Sequence, residues 1–143
     1  MSKTITAADL DIDMTSGDEH ALFKWFLASF LMGKRIQADI ACNAYRVIVE
    51  KHHRDTPRKL ANCTHRELVS MLGEAHYVRY DESTADRLSA LSRKLNDEYS
   101  GKLLNIHKTS GNREDFEKRL QAFDGVGPKT VEIFMREAGS VLY

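Results

Sequence analysis

The chain has 143 residues, with 21 Lys and Arg balanced by 21 Asp and Glu, so its formal net charge is zero. A chain of this size is expected to fold around one core, and neutrality excludes a binder that works through a global positive field: any grip on a polyanion has to be local. At 42% hydrophobic and 29% charged residues the composition is globular, and no apolar run approaches the roughly 20 residues of a membrane helix, so no membrane partner is expected.

Met1 to Asp13 shows no basic stretch followed by an apolar core, so no secretory signal is expected and a cytoplasmic location follows. In that compartment Cys42 and Cys63 are expected to be reduced and buried. They lack C-x-x-C spacing and cannot build a four-thiolate cluster, so no iron–sulfur cluster is expected from this chain. The adjacent His52 and His53 lack a third ligand at metal spacing and read as loop residues.

The fold class expected is all-α, because alternating β-branched runs are missing and only Pro57 and Pro128 interrupt the periodicity. Residues 1–18 are acidic, polar and aperiodic, and read as a loosely ordered arm; residues 19–143 read as one helical domain. Leu22, Phe23, Phe26, Leu27, Phe30 and Leu31 recur at helical spacing, with Trp25 beside them, and predict a well-buried helix from Glu19 to Met32. Gly33-Lys34-Arg35 interrupts it. A second helix is predicted from about Ile36 to His52, with Ile40, Ala44, Val47 and Ile48 inward, followed by a polar loop through Pro57.

Thr64-His65-Arg66-Glu67 has the form of a capping box and predicts a short helix to Leu72, stopped by Gly73. Ser83-Thr84-Ala85-Asp86 predicts a cap for a helix through Leu88, Leu91 and Leu95 to about Glu98. Residues 100–111 read as a basic loop holding at most one helical turn. Two more helices follow, from about Asn112 to Ala122 and from Pro128 to about Ala138, the last stopped by Gly139.

The segment joining those last two helices carries the chemistry. Gly125 and Gly127 allow a tight turn and remove side chains that would keep an anion from the backbone amides. Pro128 suits the first helical position, where a missing N–H costs nothing, so the next amides and the positive end of the helix dipole face the turn. Gly125, Val126, Gly127, Lys129 and Thr130 are therefore the candidate phosphate contacts. The alternative is a helix–helix turn that needs glycine for structure alone.

The string Leu120-Gln121-Ala122-Phe123-Asp124-Gly125-Val126-Gly127-Pro128-Lys129-Thr130 resembles the helix–hairpin–helix of the endonuclease III-like DNA glycosylases. The order of elements is similar over residues 20–139, with Leu31 to Ala41 in the place of a DNA-inserting loop and Tyr77 to Ala85 in that of a Gly/Tyr segment. The resemblance implies a DNA partner, duplex or damaged, a role in DNA repair, and association with the nucleoid. It also implies a monovalent cation on the carbonyls of Gln121, Phe123 and Val126. In the inserting loop Lys34 or Arg35 stands where the family has a glutamine, and these cations become candidate DNA contacts. Arg79, Lys102 and Lys108 are candidates to extend the same track.

Lys129 matches the family's nucleophilic lysine. The resemblance therefore offers two readings: a noncatalytic DNA binder, or a glycosylase or abasic-site lyase forming a Schiff base through Lys129. Against catalysis, the family's essential aspartate would fall beyond Tyr143. Asp124, Glu132 and Glu137 are the acids nearby, with Glu132 and Glu137 expected on a solvated helix face. A third reading is a module whose hairpin meets a protein partner.

Overall fold

The computed structural model describes residues 4–143. Regular structure among the described residues is entirely helical. Helix α1 (Glu19–Met32) is the central post: its N-cap Asp18 accepts the His20 amide, and ten of its residues from Ala21 to Leu31 are buried. Each buried Leu or Phe contributes about 1.5–3 kcal/mol of transfer free energy. Around α1 stand α2 (Ala38–Tyr45), which runs into a π-type turn (Arg46–Lys51), and α3 (Pro57–Ala61), α4 (His65–Glu74) and α5 (Asp81–Tyr99). The chain closes with α6 (Leu103–Thr109), α7 (Arg113–Gln121) and α8 (Pro128–Leu142).

Helix α1 packs on α2, α6 and α8, while α5 packs on α3, α4 and α6. The core is aromatic where α1 meets α8. Phe26 stands edge-on to Phe134 at 5.3 Å and to Phe123 at 6.2 Å, and the buried Trp25 indole donates to the Phe134 carbonyl at 3.2 Å. At its N-terminal end, α1 holds α6: the Glu19 carboxylate accepts the Leu103 and Leu104 amides at 2.7 and 2.8 Å, satisfying first-turn donors. At its C-terminal end α1 nearly touches α8. A Cβ on Gly33 would lie 2.1 Å from the Thr130 hydroxyl, so only glycine permits this crossing.

The segment expected to be a loose arm is packed from residue 7 onward. Ala7, Leu10, Ile12 and Met14 are buried, a 3-10 turn spans Ala8–Leu10, and Arg46 donates to the Asp9 carbonyl at 2.9 Å. Its apolar residues follow no helical period, which is why the pattern hid them. Glu137, expected on a solvated face, instead accepts the Ala7 amide and ties this segment to α8.

Other boundaries differ for local reasons. The predicted loop through Pro57 is followed by α3, capped by Thr56 with Pro57 at its first position and too short to show a period. Helix α5 begins at Asp81 after Tyr80 in left-handed conformation (φ 65°), while Ser83 donates to the Tyr80 carbonyl rather than capping. Gly139 does not stop α8, which runs to Leu142; its bare Cα instead leaves room for the Arg113 guanidinium. The capping box is present, with Thr64 accepting the Glu67 amide at 3.1 Å and the Glu67 carboxylate accepting the Thr64 amide at 2.9 Å.

His65 joins α4 to α5. One ring nitrogen meets the Glu82 carboxylate and the other lies 2.9 Å from Asp86. Those acids raise its pKa above the usual 6.5, the Glu82 hydrogen bond being the largest cause. A histidine whose folded-state pKa is raised stabilises the fold fully below its unfolded-state value, and that contribution is lost as pH rises through the folded-state value. The melting-temperature difference between the parent and His65→Ala is therefore expected to be largest below about pH 6.5 and to shrink at higher pH. A difference that stays constant or grows with pH would show that the clamp does not act as a cation.

Candidate nucleic-acid interface

The turn between α7 and α8 is built by two apolar pins. Phe123 and Val126 are 1% and 4% exposed, and the Val126 amide donates to the Phe123 carbonyl at 3.1 Å. With the pins inward, Asp124 is exposed and Gly125 and Gly127 lie half-buried at the rim of the groove. Gly125 has φ 83°, the left-handed region that favours glycine, and a Cβ there would come 2.6 Å from the Arg87 side chain. Gly127 is the N-cap of α8, with its carbonyl accepting the Val131 amide at 3.1 Å, and a Cβ on it would meet nothing within 4 Å.

Cations gather at this turn from distant parts of the chain. Lys34 donates from Nζ to the Gly125 carbonyl at 2.9 Å and lies 5.0 Å from the centre of the Phe30 ring. Its pKa is lowered from the usual 10.5, first by burial and then by Arg87, with Asp124 acting in the opposite sense. Arg87 reaches from α5 to within 3.9 Å of Asp124, and seven residues on, Lys94 places its ammonium 5.2 Å over Phe123. Lys129 is exposed and makes no hydrogen bond or ion pair with the described residues. Lys34, Arg87, Lys129 and the turn enclose an open groove of about 700 Å³, lined by Gly33, Lys34, Arg87, residues 121–128, Lys129 and Thr130.

The candidate residues divide accordingly. Gly125, Gly127, Lys34 and Lys129 come together at the groove, and Arg35 is exposed beside Lys34. Thr130 differs from expectation: it is 1% exposed and packed against Gly33, so its hydroxyl serves the helix crossing, leaving its first-turn backbone amide as the available donor. Val126 contributes as a pin, since its amide is already used within the turn. Arg87 and Lys94 carry no motif in the sequence; their seven-residue spacing along α5, two helical turns, was the one signal of a shared face.

Lys102 and Lys108 lie elsewhere. Lys102 precedes the α6 terminus held by Glu19, at the opposite end of α1 from Gly33, and 14 helical residues separate those ends by about 20 Å. Lys108 adjoins His107, whose ring is 4.9 Å from Tyr143 at the far end of α8. Arg79 is exposed, with its guanidinium 5.1 Å over the Tyr80 ring, and it does not line the groove. Asp124 and Glu132 are exposed acids, the latter 3.9 Å from Arg136.

Of the three carbonyls expected to hold a monovalent cation, that of Phe123 already accepts the Val126 amide and retains one lone pair. The Lys34 ammonium supplies positive charge at the neighbouring Gly125 carbonyl. Among the described side chains, no group of three or more His, Cys, Asp and Glu could hold a metal ion, and Cys42 and Cys63 are free. No helix among the described residues is long and apolar enough to cross a membrane. No protein-family model matches the chain, and neither a curated protein nor a solved structure matches it.

Proposed function

We propose that this protein binds DNA, gripping the sugar–phosphate backbone with the turn between α7 and α8 as a helix–hairpin–helix does, and that it serves DNA repair. The observation that carries the reading is the open side of Gly127: beyond its immediate chain neighbours, no described residue lies within 4 Å of where its Cβ would stand, at the positive end of a 15-residue helix and beside Lys34, Arg87 and Lys129. A phosphate placed there meets the first-turn amides of α8, its dipole and the neighbouring cations. Such contacts hold a strand without reading its bases. The choice of DNA among phosphate-bearing partners rests on the resemblance of residues 120–130 to the glycosylase hairpin. A monovalent cation on the Gln121, Phe123 and Val126 carbonyls belongs to the same proposal and would add positive charge on the hairpin.

With zero net charge, the salt dependence of binding has to come from this local cluster. Affinity for a short duplex, measured by fluorescence anisotropy, is expected to fall with a log–log salt slope of about −3, as for a protein that neutralises three or four phosphates. Lys129→Ala is expected to make that slope shallower by about 1. Salt-insensitive binding, or none, would overturn the reading and favour a protein partner for the hairpin.

A further inference from the structure

We propose that the cavity at the N-terminal end of α1 binds a small organic carboxylate with an apolar body, an aromatic acid being the simplest case. The inference is independent of the DNA-binding reading. The cavity measures about 860 Å³, within the range of small-molecule sites and larger than the groove at the turn. Three parts of the fold meet around it: the start of α1, α3 with the two residues before it, and the corner between α5 and α6. The 14 residues of α1 hold it about 20 Å from Gly33 and the groove there.

Apolar wall and polar capacity are both present. The buried Phe23 and Pro57 line the cavity, and the methylene stems of Arg58, Lys59 and Lys102 extend that apolar surface. The lining acids are already engaged. Glu19 accepts the Leu103 and Leu104 amides, and burial still pushes its carboxyl above the usual 4.5, so this wall is poor in water. Asp55 accepts from Lys59 at 3.1 Å and meets His20 at 3.0 Å, while Asp18 caps α1.

The donors on the opposite account are open. Arg58 and Lys102 make no hydrogen bond or ion pair with the described residues, Lys102 acting on Glu19 only at longer range, and the side chains of Asn96 and Ser100 also lack a hydrogen-bond partner among them. Ser100 closes α5 at φ 56°, in the left-handed region where glycine is favoured, so a hydroxyl stands on the cavity wall at a position the backbone alone would give to glycine. Three lining acids balance three lining lysines and arginines, so the cavity as a whole carries no formal charge with its histidine neutral. That balance suits a monoanion, whose carboxylate takes the fork of Arg58 while its apolar body rests on Phe23 and Pro57. A phosphate dianion would meet Glu19 and Asp55 at greater cost.

The test titrates the full labelled chain with phenylacetate and follows amide shifts, with 2-phenylethanol and phenyl phosphate as comparison probes. Phenylacetate is expected to move amides around Phe23, Arg58, Asn96 and Lys102 and to bind with a dissociation constant of about 1 mM or tighter. The neutral alcohol is expected to bind at least about tenfold more weakly, and phenyl phosphate about threefold more weakly. Arg58 is exposed and unpaired, so Arg58→Gln is expected to keep the parent's thermal melt while weakening phenylacetate by about tenfold. Absence of phenylacetate binding, shifts centred outside the cavity, an alcohol that binds as well as the acid, or undiminished binding by Arg58→Gln would each overturn the inference.

Discussion

Gly33→Ala is expected to lower the unfolding free energy by about 2–3 kcal/mol. The cause is not backbone conformation, since Gly33 has φ −76° and alanine adopts that freely. It is the crossing of α1 and α8: the new methyl would stand 2.1 Å from Thr130 Oγ1, 3.2 Å from its Cβ and 3.3 Å from the Ser29 carbonyl. Thr130 is buried and cannot swing out, so the two helices must part at the place where Lys34 meets the turn. Urea unfolding of Gly33→Ala, Thr130→Ala and the double variant checks this. Removing the obstructing hydroxyl should recover about 1 kcal/mol, so the double variant is more stable than the sum of the singles implies. A Gly33→Ala protein within about 0.5 kcal/mol of the parent would show that the crossing is looser than described.

Gly127→Ala is expected to do the opposite: leave the fold nearly intact and weaken DNA binding by about tenfold or more, equivalent to about 1.4 kcal/mol. At φ −105° and ψ −173° the residue is in extended backbone that alanine accepts, and the added Cβ touches nothing within 4 Å. Loss of glycine at a helix N-cap costs about 1 kcal/mol at most. In the proposed complex that methyl would stand in the path of a phosphate oxygen to the α8 amides. Gly125→Ala is the contrasting variant, because φ 83° and the 2.6 Å approach to Arg87 strain the turn itself. Anisotropy titrations paired with thermal melts separate the two outcomes. Undiminished affinity in a folded Gly127→Ala protein would place the DNA elsewhere on the surface.

How much of this was legible in the sequence depended on whether the information was local. The bounds of α1 follow from the dense apolar arc between Asp18 and Gly33, and the α4 cap from the paired roles of Thr64 and Glu67. Pro128 and Gly127 located the start of α8. Where tertiary contact decides the outcome, local reading failed. Gly139 reads as a terminator, yet sits mid-helix because Arg113 needs the space; the segment before Asp18 reads as solvated, yet Arg46 and Glu137 pin it to the core. The same limit applied at the site. The glycines and Lys129 are visible as a string, whereas the bond from Lys34 to Gly125 spans 91 positions and the approach of Arg87 spans nearly forty, and neither leaves a periodic trace.

Amide chemical-shift mapping of the labelled protein, titrated with a short DNA duplex at low salt and again at high salt, locates the bound DNA residue by residue. The largest shifts are expected to cluster at Gly125, Gly127, Lys129 and Thr130, with smaller ones around Lys34 and Arg87, all diminishing together as salt rises. Shifts centred on the opposite end of α1, in the groove lined by Glu19, Asp55 and Lys102, or no shifts at all, would contradict it.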